Sequence, residues 1–264
     1  MQTPIYVIGD IHGQFKRLTM LLQSAKLVDH NLSWTGGSAI LWFMGDFVDR
    51  GPDGIAVLDL VMRLQSEARP AGGQIHSLLG NHEVLFLAAY RFGRRSTGLG
   101  SNFISRWKQN GGNPKDLKKL TLQHLEWLTA LPAMSLVENY LFVHADAPLY
   151  IKYGRSVEEV NAAIKKILSR SDPLSWEELL EDFARRGAFN HSLGGEQFVR
   201  RFLDIFGGQQ IVHGHTPIHF MRDCQPKQVT GPWTYVSGRC VNVDGGMSLG
   251  GPGFVHLLSP ISVP

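Results

Sequence analysis

Gly45-Asp46-Phe47-Val48-Asp49-Arg50-Gly51 decides how this chain is read. The apolar run Ile40-Leu41-Trp42-Phe43-Met44 leads into it and Pro52 follows it. The run reads as a buried strand, and the glycines and proline as the turn that ends it. Two carboxylates three residues apart and an arginine, all at a strand end, are poorly suited to a core. They suit a polar site that holds cations and an oxyanion.

Working outward, the same arrangement recurs on both sides. Ile5-Tyr6-Val7-Ile8 runs into Gly9-Asp10-Ile11-His12-Gly13, and Phe15, Leu18, Leu21, Leu22 and Ala25 follow at helical spacing. Asp10 and His12 are two apart at the end of an extended segment, which points both side chains the same way. After the central stretch, Ile55, Leu58, Val61, Met62 and Leu64 again fall at helical spacing. Ile75 to Leu79 then leads into Gly80-Asn81-His82-Glu83 and a helical Val84 to Ala89. Strand, glycine-bearing polar turn and helix in three successive copies imply an α/β fold with the polar ends gathered on one rim.

Residues 91–132 differ in character and read as a helical insertion or cap within one domain spanning residues 1–264. Arg91, Arg94 and Arg95 fit either a solvated loop or a cluster gathering an anionic substrate. Gly111-Gly112-Asn113-Pro114 breaks the helix containing Trp107, and Leu122, Leu125, Leu128 and Leu131 resume helical spacing. Met134–Val137 and Tyr140–Val143 around Glu138-Asn139 read as a hairpin ending on His144-Ala145-Asp146. Ser156 with Glu159 and Ser175 with Glu178 predict capping boxes for two helices. Phe198, Phe202, Ile205 and Phe206 predict a third. Gln210-Ile211-Val212 delivers His213 and His215. Cys240–Val243 and Phe254–Leu258 read as closing strands, with Asp244 a turn residue near the rim between them.

The bulk numbers narrow the setting. A net charge of +3 is too small to argue for a nucleic-acid partner, and no apolar run approaches the roughly 20 residues a membrane span needs. Two cysteines speak against a secreted disulfide scaffold, and Met1 stands so close to the first strand that no signal peptide is expected. The cytoplasm is the expected location.

Five strand ends thus supply Asp10 and His12, Asp46 and Asp49, Asn81 and His82, His144, and His213 and His215. Carboxylate, imidazole and amide oxygen without thiolate disfavour a structural zinc site and suit divalent manganese, iron or zinc. About ten donor atoms exceed the need of one ion, so two are expected, with Asp46 shared between them. A two-metal site lets a metal-activated water attack a phosphoryl group directly, which points to hydrolysis of a phosphate ester.

Gly9–Gly13, Gly45–Gly51 and Gly80–Glu83 resemble the three defining motifs of the phosphoprotein phosphatase family, within the calcineurin-like metallophosphoesterases. The resemblance spans about residues 5–258. It implies a four-layer αββα sandwich of two mixed sheets flanked by helices. Trp34-Thr35-Gly36-Gly37 and Gly72-Gly73 look similar to the Shewanella-like branch, whereas His144-Ala145-Asp146 looks more like the phage and bacterial enzymes. By resemblance, Asp10, His12 and Asp46 hold the first metal, and Asp46, Asn81, His144 and His215 the second, with manganese the favoured ion in vitro. His82 resembles the family's general acid, Asp49 would orient it, and Arg50 would clamp phosphate oxygens. The family uses a second arginine between its last two histidines. Arg170 stands at a suitable interval, with Arg185 and Arg186 as competitors. His213 reads equally as a partner behind the ligands or a bystander.

The expected activity is hydrolysis of phosphoserine and phosphothreonine monoesters on proteins or peptides. A dinucleoside polyphosphate hydrolase and a tyrosine-specific phosphatase use the same motifs and stand as alternatives. A non-catalytic binding protein fits least, because no position that carries metal or proton transfer is missing. A nuclease would need a broader basic groove.

Overall fold

The computed structural model describes residues 3–96, 100, 102–192 and 194–259. Strands β1 (Ile5–Ile8), β2 (Ile40–Phe43) and β3 (Gln74–Ser77) are parallel neighbours in one sheet. The second sheet contains β4 (Met134–Val137), β5 (Tyr140–Val143), β6 (Gln210–His213), β7 (Trp233–Tyr235) and β8 (Cys240–Asn242) in the order β4-β5-β6-β8-β7. There β5, β6 and β8 run parallel, while β4 and β7 are antiparallel edges. The short β9 (His256–Leu257) returns antiparallel to β1, so both sheets are mixed.

Alternation along the strands separates two cores. Ile5 and Val7 of β1, Trp42 of β2, Tyr140 and Phe142 of β5, Val212 of β6 and Val241 of β8 pack together with Met44 between the sheets. Their sequence neighbours Ile8, Leu41, Phe43, Leu141, Val143, Ile211 and Cys240 belong to the core shared with the helices. Each central strand is buried on both faces, which is why its sequence is a continuous apolar run and not an alternating one.

The helices are α1 (Phe15–Ser24), α2 (Gly54–Ala68), α3 (Asn81–Phe92), α4 (Phe103–Gln109), α5 (Pro114–Lys119), α6 (Leu122–Ala130), α7 (Val157–Ser169), α8 (Pro173–Phe183), α9 (Gly195–Phe206) and α10 (Ile218–Arg222). The crossovers α1 and α2 connect β1 to β2 and β2 to β3, and α2 and α7 pack against β3 and β4. The result is two mixed sheets face to face with helices on their outer faces. No helix among the described residues is long and apolar enough to cross a membrane.

Several local expectations are corrected. The cap of α8 is Asp172, whose carboxylate accepts from the Leu174 and Ser175 amides, and not Ser175. An Asp-Pro start outcompetes the later Ser-x-x-Glu because proline is preset for the first helical position. On α9 the inward stripe is Val199, Phe202, Leu203 and Phe206, while Phe198 is 46% exposed. The last strand is confined to His256 and Leu257. Gly80-Asn81-His82-Glu83 is not a free turn, because Asn81 and His82 already form the first turn of α3.

Candidate active site

The parallel strands of each sheet end on one rim, and the loops beyond them carry the motif residues inward. Asp46 lies at the centre. Its Oδ2 is 3.5 Å from His12 Nε2 and its Oδ1 is 3.4 Å from His144 Nε2. Asp10 Oδ2 lies 3.9 Å from His12 Nε2, and Asp10 Oδ1 accepts the His215 backbone N–H at 2.9 Å. Asn81 Oδ1 is 3.0 Å from His144 Nε2. Two buried groups share Asp46: His12, Asp46 and His82, and Asp46, His144 and His215, with ligand atoms within 4.8 Å of one another in each.

The second motif aims its partners' imidazoles. His12 donates Nδ1–H to the Val48 carbonyl at 3.0 Å, and His144 donates Nδ1–H to the Met44 carbonyl at 2.7 Å. These tautomers follow from the hydrogen-bond network and leave both Nε2 lone pairs facing Asp46. Strand alternation does not deliver Asp10 and His12, since β1 ends at Ile8. A turn with φ of +49° at His12 swings them together. Asp46, Asp49, Arg50 and His215 also hold left-handed φ values of +54°, +68°, +61° and +65°. Such conformations cost non-glycine residues on the order of 1–3 kcal/mol each and persist where surrounding contacts impose them.

The donor set fits divalent ions. His215 Nε2 is buried without a hydrogen-bond partner among the described residues. Burial, with the neighbouring Asp244 and Asp46 charges, raises Asp10 well above the carboxylate range. Asp244 is pushed up to about 7 by burial, with Asp46 adding to the rise. Burial works against ionising Asp46 too, but His144, His82, His12 and His215 outweigh it and hold its carboxylate well below the usual range. Burial lowers both His12 and His215, so their nitrogens are available as neutral donors. An unpaired imidazole nitrogen among crowded carboxylates, with no thiolate, is chemistry that a divalent cation satisfies.

His82, a member of the first group, also takes part in a different relationship. Its Nδ1–H donates to Asp49 Oδ2 at 2.8 Å, and its Nε2 accepts from Arg50 at 2.9 Å. The other Arg50 nitrogen reaches His12 Nε2 at 2.9 Å. Burial, reinforced by the Arg50, His144 and Arg186 charges, pushes His82 down to about 4 despite Asp46. Asp49 is itself held by Trp107 of α4, whose indole N–H donates to Oδ1 at 2.6 Å. Arg50 is anchored from the same region, its backbone N–H donating to Gly111 at 2.7 Å. Sequence reasoning gave Trp107 and Gly111 no part in the site.

Glu83 was also missed. Its fully buried carboxylate accepts the backbone N–H groups of Asp46, Phe47 and Gly80 at 2.7, 2.8 and 3.0 Å. It bonds the second motif to the third directly beside the central carboxylate. Gly80 permits that approach, since a side chain there would collide with the Asp46 carboxylate.

The three arginine candidates occupy different surroundings. Arg170 caps α7, its guanidinium reaches Ser175 at 3.5 Å, and its carbonyl accepts from Arg91 and Trp176. Arg91 stands in the last turn of α3 with its guanidinium over Trp176, about 13 Å along the helix from His82 at 1.5 Å per residue. Arg185 pairs with Asp182 at 3.3 Å. Arg186 is the one of the three candidates whose charge bears on the cluster, depressing His82, His215 and Asp244. His213 accepts from Tyr235 at 2.8 Å and takes no place in either ligand group. Asp244 follows the end of β8 on the rim and holds a turn through the Gly246 N–H as expected, but it is 2% exposed and its charge bears on Asp10.

Comparison with known proteins gives a consistent picture. A family profile described as calcineurin-like phosphoesterase matches residues 3–219. Shewanella-like protein phosphatase 1 of Plasmodium berghei is 26% identical over 93% of this chain and 67% of its own length. Matches to other curated relatives take in shorter stretches, down to 21% of the relative's length. A symmetrical bis(5'-nucleosyl)-tetraphosphatase of Hamiltonella defensa is 25% identical over 84% of this chain and 75% of its own. The solved cold-active protein-tyrosine phosphatase of a psychrophilic Shewanella superposes with a TM-score of 0.74 at 22% identity. That superposition covers 98% of this chain and 76% of the other.

Proposed function

We propose that this chain, which belongs to the calcineurin-like phosphoesterase family, is a metal-dependent phosphoprotein phosphatase hydrolysing phosphoserine and phosphothreonine monoesters. The observation that carries the reading is His82, held by Asp49 on one ring nitrogen and facing Arg50 with the other, in a cluster of two donor groups that share Asp46. Asp10, His12 and Asp46 would hold one ion, and Asp46, Asn81, His144 and His215 the other. Divalent ions bound there supply polarisation of the phosphoryl group and a nucleophile at neutral pH.

The chain's own residues do the rest. Arg50 and Arg186 bind phosphoryl oxygens, a task that suits the planar guanidinium fork. Asp49 keeps the His82 proton on Nδ1, so Nε2 is the atom that carries a proton to the leaving oxygen. In the free protein His82 is neutral. A phosphate dianion drawn against Arg50 and Arg186 adds the negative charge that raises its proton affinity.

A dinucleoside polyphosphate hydrolase is the second reading, favoured by the extended match to a tetraphosphatase. Within the arginine cluster that would grip a polyphosphate chain, Arg91 does not support it. Arg91 is engaged with Trp176 and the Arg170 carbonyl, a helix length from His82. The deciding experiment is a parallel assay with Mn²⁺ on phosphoserine, phosphothreonine and phosphotyrosine peptides and diadenosine tetraphosphate. Higher kcat/KM on the first two is expected. A preference for the tetraphosphate or for phosphotyrosine would replace this reading with the corresponding alternative.

A further inference from the structure

We propose that Asp146 is a positioning residue that holds the Arg186 loop over the site and so sets the strength with which phosphate is gripped; the inference rests on the phosphatase reading. Asp146 is fully buried, two residues beyond His144. Its Oδ1 accepts the Thr216 hydroxyl at 2.6 Å, and its Oδ2 accepts the Gly187 N–H at 2.9 Å. Its backbone carbonyl accepts the Ala188 N–H at 3.1 Å and the Phe189 N–H at 3.4 Å. Both side-chain contacts adjoin a residue of the site. Thr216 follows His215, Gly187 follows Arg186, and Asp146 itself closes the loop that begins at His144.

Residues 185–187 adopt no regular secondary structure, and Arg186 is exposed. The position of its guanidinium therefore depends on what anchors the neighbouring backbone. On one side Arg185 is drawn away to Asp182. On the other, Gly187 turns with φ of +76°, and the buried Phe189 ring packs 5.3 Å from Phe202. Between them the Asp146 carboxylate is the contact that ties the loop to the ligand-bearing strand ends. A buried carboxylate is costly unless its oxygens are used, and here both are, which makes this a stiff link.

The test is a double-mutant cycle read by calorimetric binding of inorganic phosphate to the Mn²⁺-loaded protein, with metal content measured in parallel. Asp146→Ala and Arg186→Ala are each expected to weaken phosphate about tenfold, the scale of one charge-assisted hydrogen bond. The double variant should be no weaker than Arg186→Ala alone. Asp146→Asn, which can still accept from Gly187, should recover most of the loss. Additive effects, or unchanged phosphate affinity in Asp146→Ala, overturn the positioning role and leave the phosphatase reading standing. A wild-type protein that binds no phosphate removes both. Should Asp146→Ala not fold, hydrogen exchange on the wild type decides. The Gly187 and Ala188 amides are expected to exchange about a hundredfold more slowly than that of Arg186, and equal rates overturn the proposal.

Discussion

The Trp107 indole donates to Asp49 across 58 residues of sequence, and the 2.6 Å contact places α4 in direct contact with the hydrogen-bonded pair of Asp49 and His82. Trp107→Phe keeps most of the buried ring and removes the donor. Turnover is expected to fall about tenfold, the worth of one hydrogen bond to a charged group, while metal content stays at the wild-type level. Full kcat in that variant would show that Asp49 needs no support from α4.

His82→Asn should lose on the order of 10²–10⁴ in kcat on an alkyl phosphate, whose leaving oxygen requires a proton. The loss on p-nitrophenyl phosphate should be much smaller, and metal content unchanged. Equal losses on the two substrates would argue against an acid role.

Asp46 touches both donor groups, so Asp46→Asn is expected to lower metal stoichiometry as well as turnover. Elemental analysis of the purified variant makes the check. Two tightly held ions would remove the shared role.

Chelator treatment should abolish hydrolysis and lower Tm, with both restored by Mn²⁺. The structural reason is the set that loses its counter-charge, namely Asp10, Asp46 and Asp244 with the unpartnered His215 nitrogen. Metal-independent hydrolysis of p-nitrophenyl phosphate would overturn the functional reading as a whole.

The metal-free protein should become less stable as pH rises from about 6.5 to 8. Burial raises Glu83 from its ordinary 4.5 to about 8, and Asp244 from 3.8 to about 7. The folded chain therefore keeps protons that the unfolded chain has released, and that stabilisation is lost as pH passes through the folded values. The buried histidines act in the opposite direction, but only below their ordinary 6.5. Thermal melts of chelated protein across this window give the slope, and Glu83→Gln should make it shallower. A Tm that rises with pH there would contradict the raised carboxylates.

Much of the site was legible before any coordinates. Apolar runs ending in polar turns located β1, β2, β5 and β6, because strands buried on both faces are largely apolar, whereas β3 was placed mainly by the glycine-bearing turn that follows it. The ligand types at those ends named the chemistry, since donor identity is a property of residues and not of their arrangement. Helix boundaries were less secure. Ser175 and Phe198 fit local patterns that lost to Asp172-Pro173 and to the packing of Val199.

By itself, then, the sequence determined a repeated strand-turn-helix chain whose strand ends carry clustered carboxylate, imidazole and amide side chains able to hold a metal. Only the tertiary structure decided which of three arginines lends its charge to the cluster, that Trp107 and Gly111 brace Asp49 and Arg50, that Glu83 bonds the second motif to the third, and that Asp244 is buried near Asp10. The reason is physical. Local periodicity reports which face of an element is apolar. A side chain's direction from a loop is set by backbone turns at ordinary residues such as His12 and Asp46, and by partners tens to hundreds of residues away.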